Sequence, residues 1–86
     1  MESKELTVTN PTGLHTRPGT EFVKRAKNFV SDITIKKGEK TANAKSIIKL
    51  LQIGISQGDT ITLTACGDDE SVAIAELAAY VQSLSE

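Results

Sequence analysis

The chain has 86 residues, with ten basic and eleven acidic side chains and a formal net charge of −1. That length holds one modest core, so residues 1–86 are read as a single domain and not as an enzyme with a deep cleft between domains. The near-balance of charge excludes a global electrostatic pull toward nucleic acid or membrane, and any charge effect must be local. Phe22, Phe29 and Tyr80 are the only aromatics, too few and too separate from the basic residues for stacking on single strands. One cysteine and one histidine provide neither a disulfide framework nor a metal-ligand cluster, which points to a reducing compartment. No apolar run approaches the roughly 18 residues that span a bilayer. The opening Met1-Glu2-Ser3-Lys4-Glu5 lacks the basic-then-apolar order of a signal peptide, so a cytoplasmic location without membrane insertion is expected.

In chain order, Leu6 and Val8 alternate with polar neighbours as in a strand with one wet face. After a Gly-containing loop, Phe22, Val23, Ala26, Phe29 and Val30 recur at helical spacing. This helix should begin near Thr16, with Pro18 in its first turn, where no N–H is missed. Ile33 and Ile35 mark a second strand and Ala42 and Ala44 a third, joined into a hairpin by Lys37-Gly38-Glu39. Ser46 is a natural N-cap for a short helix that stops at Gly54. Ile47, Ile48, Leu50, Leu51 and Ile53 point around most of that helix, so some must be exposed. Ile61, Leu63 and Ala65 form the fourth strand, ending with Cys66, expected to be small and semi-buried, and Gly67. Asp68, Asp69 and Glu70 suit the start of a last helix carrying Ile74, Leu77, Ala78, Val81 and Leu84. The order is β-α-β-β-α-β-α, and strands with a single apolar face imply a two-layer α+β sandwich, with strand order left open.

The chemistry concentrates in Gly13-Leu14-His15-Thr16-Arg17-Pro18. A neutral imidazole is a nucleophile at physiological pH. The adjoining helix start offers unpaired N–H groups and the positive end of a dipole. Arg17 adds a guanidinium whose fork fits phosphate oxygens. These residues suit the transient holding of a phosphoryl group.

Gly13-Leu14-His15-Thr16-Arg17-Pro18 and Asn43-Ala44-Lys45-Ser46-Ile47-Ile48, continuing to Gly54, occur in this order along a chain of this size. In this the chain resembles the HPr family, the histidine phosphocarriers of the bacterial phosphoenolpyruvate-dependent sugar phosphotransferase system. The resemblance implies an open-faced sandwich of four antiparallel strands with three helices on one face. It implies phosphate on Nδ1 of His15, with the backbone N–H groups of Thr16 and Arg17 facing it and the Arg17 side chain as a movable counter-charge. His15 is expected to cap the helix. Phosphorylated Enzyme I is the implied donor and the IIA domains of sugar permeases are the implied acceptors, so the chain is a co-substrate and not an enzyme in its own right. No cofactor or metal is implied. Thr20, Ile47, Ile48, Leu51, Gln52 and Gly54 would pack against these partners, with Lys24, Lys27, Lys45 and Lys49 as a basic rim.

Ser46 matches a serine that an HPr kinase phosphorylates in many relatives, where added negative charge would oppose an acidic partner. It is equally explained as an N-cap. Gly19 stands where Ala is usual, and is expected to loosen the first turn by up to about 1 kcal/mol. Ile48 occupies a position often held by Met or Phe. The rival readings are a nitrogen-branch or regulatory paralogue and a small phosphate- or RNA-binding interaction domain using the same lysines. A monomer is the simplest oligomeric state.

Overall fold

The computed structural model describes residues 1–15 and 17–84. Its elements are β1 (Glu2–Thr7), α1 (Arg17–Ala26), β2 (Asp32–Lys37), β3 (Lys40–Asn43), α2 (Ile47–Ile53), β4 (Thr60–Cys66) and α3 (Glu70–Ser83). The four strands form one sheet in the order β1-β4-β2-β3, with every neighbouring pair antiparallel.

The register explains the single apolar face. Leu6 pairs with Ile61, Ile33 with Ala65 and Ile35 with Leu63, and Ile35 also with Ala42. These residues, together with Val8 and Ala44 just beyond their strands, are all buried. The alternate positions of β2 and β4 carry Thr34, Lys36, Thr60, Thr62 and Thr64, the wet side of the sheet. The same period of two decides Cys66. With Ala65 turned inward, the next residue must turn out, and Cys66 is exposed rather than semi-buried. Gly38, with φ 61°, is the first of the two residues that close the β2–β3 hairpin.

The helices cover the apolar side. α3 packs on β1 and β4, α2 on β3, and α1 against both α2 and α3. Phe22 is wholly buried and anchors α1; truncation of such a side chain costs about 3–5 kcal/mol. α1 is shorter than its apolar spacing predicts. The N–H groups of Asn28 and Phe29 close tighter bonds to the carbonyls of Arg25 and Ala26. The Asp69 carboxylate then takes the N–H groups of Val30 and Ser31 and the Ser31 hydroxyl, drawing the chain into β2. Phe29 is left half-buried, and Val30, expected on the core face, is 76% exposed. Leu84 likewise lies one residue past α3, in extended conformation. Asp69 stands at the N-cap of α3, but its side chain makes no cap bond there because it serves residues 30 and 31.

Candidate functional site

The loop ahead of α1 is placed by its backbone. Asn10 donates from Nδ2 to the Gly13 carbonyl (2.9 Å), and the Gly13 N–H returns to the Asn10 carbonyl (3.2 Å). The Leu14 N–H donates to Ile55 O at 3.1 Å, and the Leu14 side chain is buried. Gly13 makes this approach possible. Its φ is 60°, and a Cβ there would lie 2.3 Å from Ile55 O and 2.8 Å from Ser56 Cα. The loop therefore lies directly on residues 55 and 56, and His15 emerges beside them.

His15 is exposed, and its Nε2 lies 2.8 Å from Ser56 Oγ. A Cβ on Gly54 would come 3.9 Å from His15 Cε1, so Gly54 borders the ring. Ser56 opens a tight turn, in which the Asp59 N–H donates to Ser56 O (3.1 Å) and Gly58 takes the third position with φ 90°. Asp59 Oδ2 accepts the Ser56 N–H at 2.7 Å and pairs with Lys37 Nζ at 2.9 Å. Lys37 Nζ also donates to Gly54 O at 2.8 Å. The backbone of Val8 clamps the turn through bonds with Gly58 and Asp59. The Asp59 carboxyl is held below its ordinary range, first by the Ser56 N–H, then by the Lys37 ammonium, with a smaller part from the charge of His15.

His15 lies just ahead of α1, whose described residues begin at Arg17, and its Nε2 turns to Ser56. The cap of α1, expected to be His15, turns on Thr16, which is not among the described residues. Arg17 is exposed at the helix mouth, where first-turn N–H groups have no partner within the helix. Gly19 corrects an expectation. A Cβ there would fall 2.3 Å from Leu14 O, so this glycine brings the preceding loop tight against the helix and does not loosen it. Tyr80 of α3 supports the same corner, donating from its hydroxyl to Pro18 O at 3.2 Å while the Arg25 guanidinium stacks 4.5 Å from its ring.

On α1, Arg17, Thr20 and Lys24 are exposed and, with exposed Lys27 just past its end, recur at helical spacing along one stripe. On α2, Ile48 is 66% and Leu51 44% exposed, one turn apart, with Lys49 and Gln52 also exposed and Ile47 half-buried. Leu50 and Ile53 face the core, which is the expected division of an over-apolar helix. Lys45 is half-buried, and its Nζ is drawn to Phe29 O at 2.7 Å. Ser46 caps α2 by accepting the Lys49 N–H at 3.3 Å, and Gly54 ends the helix in the left-handed conformation. The seven-residue helix sets Ser46 about 10 Å from the end that borders His15.

Ser56, Asp59 and Lys37 were not among the site residues expected from the sequence, where Lys37 figured only as part of the hairpin turn. Ser56-Gln57-Gly58-Asp59 carries a turn signal, but nothing in it indicates a partner 41 residues away. Among the described residues no helix is long and apolar enough to cross a membrane, and no group of three or more His, Cys, Asp or Glu side chains is placed to hold a metal ion.

The arrangement thus presents a solvent-facing imidazole with one ring nitrogen bonded to a serine, at the mouth of a helix that carries a guanidinium. The chain as a whole is similar to known proteins. The family described as "PTS HPr component phosphorylation site" matches residues 2–83. The phosphocarrier protein HPr of Buchnera aphidicola subsp. Baizongia pistaciae is 45% identical over 84 residues, covering 98% of this chain and 99% of that protein. The HPr-like protein Crh of Bacillus subtilis is 44% identical over 82 residues, covering 95% and 96% respectively. A crystal structure of HPr-C-His from Thermoanaerobacter tengcongensis superposes with a TM-score of 0.95 at 42% identity, covering 96% of this chain and 93% of that one. On sequence and fold together, the chain belongs to the HPr family of phosphocarriers of the bacterial phosphotransferase system.

Proposed function

We propose that His15 accepts a phosphoryl group from phosphorylated Enzyme I and passes it to the IIA domains of sugar permeases, the chain acting as a cytoplasmic co-substrate and not as a catalyst. The observation that carries this reading is the ring itself. It is exposed, and Nε2 is bonded to Ser56 while Nδ1 is left open among the described residues. Nδ1 attacks phosphorus in line, forming the new P–N bond as the donor's bond breaks and its electron pair returns to the donor nitrogen. Onward transfer reverses the roles. Such a displacement needs alignment and charge stabilisation, which the Arg17 side chain and the N–H groups of residues 16 and 17 supply at the dipole's positive end.

Ile48 and Leu51 form the apolar centre of the docking face, flanked by Thr20, Ile47, Gln52 and Gly54, with Lys24, Lys27, Lys45 and Lys49 at its rim. An apolar centre with a charged border suits repeated, short-lived association. One core closed within one chain supports action as a monomer and as a single domain. Ser46 is a candidate for phosphorylation by an HPr kinase, since a phosphate at the start of α2 would set negative charge beside the exposed Ile48.

Incubation with Enzyme I and labelled phosphoenolpyruvate tests the central claim. Acid-labile, base-stable label is expected on the wild type and none on His15→Ala, while Arg17→Ala slows transfer with the fold intact. Label persisting on His15→Ala would refute the assignment. For Ser46, ATP with an HPr kinase should label the wild type and not Ser46→Ala.

A further inference from the structure

We propose that Ser56 is a positioning residue for phosphoryl transfer: its Oγ accepts the Nε2–H of His15 and holds the ring in the tautomer whose Nδ1 lone pair faces outward. This inference rests on the reading of His15 as the phosphoryl acceptor.

A neutral imidazole carries one proton, so the nitrogen that bears it is a donor and the other is the nucleophile. With Nε2 2.8 Å from Ser56 Oγ, a proton on Nε2 makes a hydrogen bond and frees Nδ1. Ser56 is held to this task by its backbone. Its N–H is bound by Asp59 and its carbonyl by the Asp59 N–H, and Asp59 is in turn fixed by Lys37, which also grips Gly54 O beside the ring. Gly13 brings the His15 loop onto the Ser56 backbone from the other side. Gly13, Lys37 and the Gly54–Asp59 segment, three separate parts of the chain, therefore define one distance, that between the hydroxyl and the imidazole.

The geometry also suits the electron flow. When the Nδ1 lone pair forms its bond to phosphorus and the donor's P–N bond breaks toward the donor, the ring keeps its Nε2 proton and becomes cationic. The Ser56 oxygen meets that developing charge, and the Asp59 carboxylate, close enough for its charge and that of His15 to influence each other, favours it further. On onward transfer the N–P electron pair returns to Nδ1, and the ring is neutral again with the same proton on Nε2. No proton has to move in either step.

His15 is the only histidine, so a long-range proton–nitrogen spectrum of the ¹⁵N-labelled protein reports one ring. The test compares wild type, Ser56→Thr and Ser56→Ala, recorded where the imidazole is neutral, and measures labelling rate by phosphorylated Enzyme I on the same samples. Wild type and Ser56→Thr should share the Nε2–H tautomer and a similar rate. In Ser56→Ala the tautomer ratio and the rate should each fall by about five- to tenfold, with an unchanged unfolding midpoint. An alanine variant with the wild-type ratio and rate, or a threonine variant as impaired as the alanine one, would overturn the role of Ser56 while leaving His15 as acceptor. Absence of label on the wild type would instead overturn the acceptor reading, and this inference with it.

Discussion

Two corners of the molecule use a serine and an aspartate, and they use them differently. At the junction of α1 and β2, Asp69 accepts two backbone N–H groups and the Ser31 hydroxyl, and Gly67 is packed so closely that a Cβ would lie 2.6 Å from Ser31 Oγ. At the other corner, Asp59 accepts the Ser56 N–H and pairs with Lys37, but the Ser56 hydroxyl is directed to His15. In the first, both side chains are consumed by the fold; in the second, the aspartate fixes the backbone and leaves the hydroxyl for an exposed ring. The difference between a clasp and a site lies in where that one hydroxyl points.

The glycines offer the strongest way to break the comparison. Gly13 and Gly67 both combine positive φ with a backbone or side-chain atom closer than any Cβ tolerates. Gly13→Ala and Gly67→Ala are each expected to lose about 2–4 kcal/mol in chemical denaturation. Only Gly13→Ala should also slow labelling of the molecules that remain folded, because it parts His15 from Ser56.

The aspartates sharpen it next. Asp69→Ala orphans three donors and should lower the thermal midpoint without altering the labelling rate per folded molecule, whereas Asp59→Ala should slow labelling more than it lowers the midpoint. Acid gives the same contrast without mutation. The Asp69 carboxyl is held low, first by the Ser31 hydroxyl, and Glu70 chiefly by the terminal ammonium of Met1 and then by the Gly67 N–H; Asp59 is held low as well. For depressed carboxyls the stability they lend is complete above their ordinary values near pH 4 and is lost as pH falls through the lower folded values. Denaturation midpoints should therefore be flat from about pH 5 to 7 and fall below about pH 4, less steeply in Asp69→Asn.

Smaller effects test the edges of the site. Gly19→Ala gains helix propensity of about 1 kcal/mol but drives a Cβ toward Leu14 O, 2.3 Å away, so a net destabilisation is expected where propensity alone predicts a gain. Ser46→Ala removes the cap bond to Lys49 and should cost about 1 kcal/mol or less, with His15 labelling unchanged.

Much of this was legible in the residues. Alternation identified the inward side chains from Leu6 to Ala65, and all of them are buried. The apolar excess of the short helix foretold the exposure of Ile48 and Leu51. The end of α1 was not legible, because Phe29 and Val30 keep helical spacing while the force that unwinds them, the Asp69 carboxylate, arrives from 39 residues further on. Gly19 misled for a similar reason, since propensity describes an isolated helix and the obstacle is a carbonyl from the loop before it.

Sequence by itself determined the elements, the face each strand turns inward and the six residues around His15, because periodicity and capping are local and act within a turn or two of the chain. The tertiary structure alone decided the strand order, the neighbours of the ring and the division of labour between two serine–aspartate pairs. Those depend on hydrogen bonds and close approaches between segments far apart along the chain, and a hydroxyl acquires a role only when folding brings an imbalance of donors and acceptors to it.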